Sequence, residues 1–157
     1  MITFDIYGNP QPQGVANLSY NEFKDIFVID FDKSQTRLTI SKKYEKYLID
    51  FKSEITNNFK HWIGGSFITT KMNPNDIDIV SIFQYTDEIN QKTQALLKFL
   101  NYGNSLENYM VDGYFVPIYP TNDPRYSLTI DALAYWSEWL GHDKENRPKT
   151  IIEISFS

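Results

Sequence analysis

Residues 61–83, HWIGGSFITTKMNPNDIDIVSIF, decide the fold of this chain. The apolar run from His61 to Ile63 predicts a short strand, and Gly64-Gly65-Ser66 behind it predicts a flexible turn. A second turn, Asn73-Pro74-Asn75, precedes residues 76–83, where alternation and β-branched side chains predict another strand. The stretch therefore predicts two strands with a glycine-rich turn between them.

Three helices are predicted from apolar side chains that recur every three or four residues. The strongest signal covers residues 36–57. Its apolar positions, continued just beyond the helix, are Ile40, Tyr44, Tyr47, Leu48, Phe51, Ile55 and Phe59. Residues 87–101 form the second predicted helix, which we expect Gly103 to end, and residues 127–140 the third, closed by Gly141.

Two more strands are predicted, at residues 110–119 and 151–156, so strands and helices alternate in mixed order. Residues 1–16 contain two glycines and two prolines and predict an extended N-terminal arm. Ser19 and Glu22 have the spacing of a capping box, which indicates a short helical turn. We expect one α/β (α+β) domain over residues 1–157, a small mixed sheet packed by helices.

Composition excludes several kinds of site. The chain of 157 residues has 20 acidic and 15 basic side chains, so strong non-specific binding of nucleic acid is not expected. Absence of cysteine excludes a disulfide, a thiol nucleophile and a Cys-based zinc site, and two histidines are too few for a histidine-rich metal cage. We expect a structural role for His61 and a helix C-terminal position for His142.

Localisation is predicted from what the N-terminal sequence lacks. Residues 1–14 show no basic segment followed by an apolar one, and no apolar run approaches the ~18 residues of a membrane span. The expectation is a cytoplasmic protein without membrane contact.

Acidic side chains form the strongest chemical signal. Asp76 and Asp78 stand two positions apart on a predicted strand, so both carboxylates are expected on one face. Paired carboxylates repel unless a cation lies between them, and hard divalent ions prefer oxygen ligands. Asp112 is the expected third carboxylate, with Glu107 or Asp131 as substitutes. Amides of the Gly64-Gly65-Ser66 turn and the Ser66 hydroxyl are candidates for holding a phosphate.

The spacing of these residues resembles the signature of nucleotidyltransferases of the DNA polymerase β superfamily, because Gly65-Ser66 is followed, after nine residues, by Asp76-Ile77-Asp78. Ser34-Gln35-Thr36-Arg37 and the later Gly-x-Asp-x-x-x-Arg-Pro-Lys, residues 141–149, are similar to segments of small bacterial and phage-type proteins with this domain. The resemblance implies a polymerase β-like fold.

The resemblance also implies a reaction, in which an NMP moves from an NTP, ATP by default, to a hydroxyl acceptor. Asp76, Asp78 and Asp112 would bind two Mg²⁺ ions, with Mn²⁺ as an alternative. Gly64, Gly65 and Ser66 would hold the phosphates. Three basic residues are weaker phosphate candidates, because each also fits a solvated loop position: Lys71, Arg147 and Lys149.

The acceptor would be a protein, an RNA end or a small molecule, in a toxin–antitoxin or phage-defence setting, and an oligomer or a partner chain would complete the site. A non-catalytic binding module of the same fold, which binds nucleotide or a partner protein, is the alternative. Trp136 and Trp139 lie three residues apart on a predicted helix, where core packing is favoured over base stacking.

Overall fold

Seven strands are present in the computed structural model, which describes all 157 residues. Two of them, β1 (Thr3–Phe4) and β2 (Pro10–Gln11), pair only with each other. The other five form one sheet in the order β3-β7-β4-β5-β6. Their bounds are Gly14–Asn17 (β3), Phe59–Gly64 (β4), Ile77–Gln84 (β5), Val111–Ile118 (β6) and Thr150–Phe156 (β7).

The sheet is mixed. Strand β4 runs antiparallel to both of its neighbours, β5 and β7, whereas the outer pairs β5–β6 and β3–β7 are parallel. A parallel pair needs a long crossover, and the segment between β5 and β6 supplies one. The mixed α/β architecture predicted from the sequence is therefore confirmed.

Six α-helices surround the sheet. Their bounds are Tyr20–Lys24 (α1), Arg37–Glu54 (α2), Asp87–Asn90 (α3), Thr93–Leu96 (α4), Ser105–Tyr109 (α5) and Tyr126–Leu140 (α6). A π-helical turn follows α1, and short 3₁₀ turns occur at Ser66–Ile68 and Leu97–Phe99. No helix combines the length and apolar character that a bilayer-spanning segment requires.

The sheet has a different helix on each face. Along β5, Ile77 and Ile79 belong to the larger apolar core, which contains the buried face of α2. Val80 and Ile82 belong to a smaller cluster that includes Leu140 of α6. Because side chains alternate along a strand, Asp78 lies on the α6 face with Val80 and Ile82.

The long helix α2 forms where the three- and four-residue pattern predicts it. Its predicted apolar positions from Ile40 to Phe51 are all buried, as are Ile55 and Phe59 just beyond it. The capping box is also present, because Ser19 accepts a hydrogen bond from the Glu22 amide and Glu22 accepts one from the Ser19 amide.

The prediction of a single helix over residues 87–101 is wrong. The chain forms α3, α4 and a 3₁₀ turn, with a break at Lys92, where φ is −98° and ψ is 20°. Thr93 donates a hydrogen bond of 2.8 Å from its hydroxyl to the Asn90 carbonyl. A side-chain hydrogen bond of this kind competes with the backbone hydrogen bonds of a helix. The spacing of apolar residues does not reveal this competition. Helix α5 was also not predicted.

The predicted N-terminal arm is extended and reaches the main sheet. After the β1–β2 pair, β3 runs alongside β7, with Val15 opposite Ile151. The Asn9 side chain donates a hydrogen bond of 2.9 Å to the Asp143 carboxylate. The arm thus connects the sheet edge with the loop over residues 142–149.

Candidate functional site

Strand register brings the glycine-rich turn and two of the carboxylates together. Gly64 at the end of β4 is opposite Asp78 on β5, and Asp78 is opposite Asp112 on β6. Neighbouring strands lie about 4.8 Å apart, so these three residues form a row across the sheet. Asp76 lies directly before the first residue of β5.

The side chains of Asp76 and Asp78 are both destabilised in their charged forms. Burial, followed by repulsion from Asp76 and Asp112, raises the pKa of Asp78 to about 6, although Lys149 acts in the opposite direction. Burial and then Asp112 also raise the pKa of Asp76, which Lys71 partly offsets. The positive charge nearby thus fails to neutralise the acidic group, and a bound cation would relieve this repulsion.

Asp112 is the third carboxylate of this group. Its side chain accepts a hydrogen bond of 2.7 Å from Asn101 and a longer contact of 3.4 Å from the Tyr114 hydroxyl. The two substitutes considered from the sequence, Glu107 on α5 and Asp131 on α6, are exposed and do not perturb the pKa of Asp76 or Asp78.

Two successive glycines, one at the end of β4 and one in the turn after it, lie in close contact with neighbouring side chains. A β-carbon at Gly64 would lie 2.6 Å from Cδ2 of Leu140, so the end of α6 packs directly on the strand. Gly65 has φ of +73°, and a β-carbon there would lie 2.7 Å from Cγ of Asp78. These contacts fix the turn between α6 and the carboxylate.

Hydrogen bonds around the turn use its carbonyl groups. Lys149 Nζ lies 3.4 Å from the Gly65 carbonyl oxygen, and the Thr69 hydroxyl and amide donate to the Ser66 carbonyl. The Gly65 amide and the Ser66 hydroxyl have no partner within the protein. Both groups are therefore available to donate to an anion.

A fully buried arginine, Arg37, supports the segment that follows the turn. Its guanidinium donates four hydrogen bonds of 2.6–2.7 Å to the backbone carbonyls of Phe27, Phe67, Thr69 and Lys71. Burial lowers the pKa of Arg37 to about 10. No supporting role was predicted for Arg37, which the sequence indicates only as part of the segment Ser34-Gln35-Thr36-Arg37, yet its position three residues before Ile40 places it on the buried face of α2.

The three basic candidates differ in what they reach. Lys149 is only 5% exposed and points at the turn. Burial lowers the pKa of Lys149, and the charges of Asp78 and Asp143 partly offset this effect. Arg147 instead pairs with Asp143 at 3.1 Å and lies over the Tyr7 ring. Lys71 is exposed near Asp76. Only Lys149 is thus held against the Gly65 turn.

A cleft of about 760 Å³ opens beside the turn. Its lining includes Gly65, Ser66, Asp78 and Lys149 from the site, and Trp139 from α6. The predicted core packing of Trp139 is wrong, because the residue is 65% exposed.

Trp136 does pack inward, 4.5 Å from the Tyr114 ring between ring centres. Leu140 lies one helical turn further along the same inward face. Trp139 is one position, or about 100°, away from Leu140 around the helix and points towards the cleft.

Both histidines occupy the positions expected from the sequence. His61 is buried between the hydroxyls of Tyr44 and Ser81, at 2.7 and 2.9 Å from its two ring nitrogens. The His142 ring lies 2.9 Å from the Glu138 carbonyl, at the C-terminal end of α6. Neither histidine belongs to the carboxylate group.

The carboxylates match Mg²⁺ in donor chemistry. All the donors are oxygens and partly buried, and burial followed by their mutual repulsion raises the pKa of Asp76 and Asp78. No group of three or more His, Asp or Glu side chains is already arranged around a common metal position.

These features define a mixed α/β protein with an acidic group beside a glycine turn. The chain belongs to a family of unknown function (DUF6932), which it matches over residues 2–155. No curated protein and no solved structure matches it.

Proposed function

We propose that this protein is a Mg²⁺-dependent nucleotidyltransferase with a polymerase β-like fold, which moves an NMP from an NTP to a hydroxyl acceptor. The observation that supports it is the row across three strands, in which Gly64 beside the turn, Asp78 and Asp112 are neighbours. ATP is the default donor, and the acceptor classes are a protein, an RNA end or a small molecule.

Asp76 and Asp78 would hold Mg²⁺, and Asp112 would share a second ion. When bound, the metal supplies charge neutralisation on the phosphates and a lower pKa for the acceptor hydroxyl. Raised pKa values for Asp76 and Asp78 support this assignment, because a divalent cation offsets the repulsion that causes part of each shift.

Residues of the turn would bind and orient the triphosphate. The Ser66 hydroxyl and the Gly65 amide, both free of protein partners, would donate to phosphate oxygens. Lys149 would contribute a positive charge beside the turn. Arg37 acts as a positioning residue, because its four hydrogen bonds tie residues 67–71, which lie between the turn and Asp76, to the backbone at Phe27.

The test measures metal-dependent turnover. The protein is incubated with each α-³²P-labelled NTP, Mg²⁺ or Mn²⁺ and candidate acceptors, while pyrophosphate release is followed in parallel. Asp76→Asn and Asp78→Asn should each lower activity at least ~100-fold, as expected when a metal-binding charge is lost. Asp131→Asn, at an exposed position on α6, is the matched control. If calorimetry shows no metal-dependent NTP binding and no pyrophosphate forms, the proposal is wrong.

A second candidate is a non-catalytic module that binds nucleotide or a partner protein. One observation favours it, because the Asp112 carboxylate is already hydrogen-bonded by Asn101 and Tyr114. Stoichiometric NTP binding without pyrophosphate release under any acceptor condition would support this candidate over the enzyme.

A further inference from the structure

Two aromatic side chains of α6 are exposed on the wall of the cleft. Tyr135 is 58% exposed and Trp139 is 65% exposed. They are four residues apart and therefore neighbours on one helix face. Both line the same cleft as Ser66, Asp78 and Lys149.

The two rings differ in how the protein holds them. Tyr135 packs edge-on against Trp136, with ring centres 5.1 Å apart and planes at 84°. Trp139 has no aromatic partner and no hydrogen bond from its indole. Large exposed aromatic surface is unfavourable in water, so a planar ligand that covers the Trp139 ring would gain binding energy.

We propose that Trp139, with Tyr135 beside it, is the nucleobase-binding wall of this site. The inference rests on the proposed function, since it takes an NTP as the ligand. The cleft joins the ring to the phosphate-binding groups, because Ser66 and Lys149 border the same space. A nucleotide would place its base on the indole while its phosphates reach the turn.

A site in which the base stacks on a single ring should bind all four nucleobases. Every base has a π-face, and affinity from stacking depends little on base identity. Loss of one stacked base typically weakens binding by roughly 10- to 100-fold. All four NTPs should therefore lose affinity to a similar degree when the ring is removed.

The experiment compares ATP with inorganic tripolyphosphate, which has the phosphates but no base. Calorimetry in Mg²⁺ gives both affinities for the wild type and for Trp139→Ala, Trp139→Phe and Leu128→Ala. Leu128 is the matched control, because it is exposed on α6 but does not line the cleft. We expect Trp139→Ala to weaken ATP by roughly 10- to 100-fold and to leave tripolyphosphate unchanged.

Trp139→Phe, which keeps an aromatic face, should retain most of the ATP affinity. Equal effects of Trp139→Ala on both ligands, or no effect on either, would overturn this inference while the proposed function stands. If circular dichroism shows that Trp139→Ala is unfolded, Trp139→Phe provides the test instead. ATP binding is then followed by the quenching of tryptophan fluorescence. Quenching that persists unchanged without the indole contradicts the proposal. If neither ligand binds the wild type, the inference and the proposed function both fail.

Discussion

Gly65 lies directly against the side chain of Asp78. A β-carbon built at position 65 would stand 2.7 Å from Cγ of Asp78, closer than such atoms approach in proteins. The same residue has φ of +73°, a conformation that costs other residues about 1 kcal/mol or more. The backbone of the turn thus approaches the Asp78 carboxylate so closely that no side chain fits at position 65.

Gly65→Ala should therefore abolish nucleotidyl transfer and destabilise the fold by roughly 1–3 kcal/mol. The new methyl group must displace the Asp78 carboxylate or the turn itself, and both belong to the proposed site. Pyrophosphate release and urea unfolding measure the two effects.

Gly14→Ala is the matched control for backbone strain. Gly14 also has a positive φ, of +116°, but nothing lies within 4 Å of a β-carbon there. We expect a smaller loss of stability, from backbone strain alone, with activity retained. If both variants lose activity equally, close packing against Asp78 is not what makes Gly65 necessary.

Arg37→Lys should destabilise the protein by about 3 kcal/mol or more, although the charge is kept. One ammonium cannot reach four carbonyls that lie in different directions, so buried acceptors lose their partners. Urea unfolding measures the change. Arg125→Lys, at an exposed pair with Asp123, should shift stability by less than ~0.5 kcal/mol. Equal effects at both positions would show that the four buried bonds contribute little.

Much of the fold follows from local patterns in the sequence. Helix α2 carries a long apolar repeat whose predicted positions are all buried. Strand β5 forms where alternation and β-branched side chains predict it, although both of its faces are buried from Ile79 to Phe83. Such patterns are visible because burial of one face dictates residue type at fixed spacing. The break at Lys92 could not be predicted in this way, because it depends on backbone competition by Thr93.

The candidate site could be predicted only in part. Aspartates at alternate strand positions are unusual, so Asp76 and Asp78 were visible from the sequence. The alignment of Asp78 with Asp112 depends on strand register, which no local pattern contains. Lys149 and Trp139 come from segments distant in sequence, so their positions beside the turn follow from tertiary packing alone.

The buried histidine predicts a loss of stability in mild acid. Burial lowers the pKa of His61 to about 3, below its ordinary value of 6.5. Between these two pH values the unfolded chain binds a proton at His61 and the folded chain does not. His61 therefore contributes to a loss of stability as pH falls from 6.5 towards 3. The His61→Asn variant lacks this titration, and we expect its stability deficit against the wild type to shrink by about 2 kcal/mol between pH 7 and pH 5. Urea unfolding at both pH values measures it, and a deficit independent of pH would contradict the buried neutral ring.

Asp78→Asn should make the protein more stable while it removes activity. The folded-state pKa of Asp78, about 6, is higher than its ordinary value of 3.8, so the folded chain binds the proton more tightly. Stability is lost as pH rises through this window, and the full cost is present above pH 6. Replacing the carboxylate should thus raise the free energy of unfolding at pH 7 by up to about 3 kcal/mol and change it little at pH 3.5.

Magnesium provides the second arm of this experiment. A cation bound by the native site stabilises the wild type at pH 7, because it binds the folded chain alone, and the Asp78→Asn variant should lose most of that gain. Thermal unfolding with and without about 10 mM Mg²⁺ measures the difference. Asp131→Asn, at an exposed position outside the site, should match the wild type in both arms. A less stable Asp78→Asn protein at pH 7, or equal stabilisation of all three proteins by Mg²⁺, would contradict a repelling carboxylate group that binds metal.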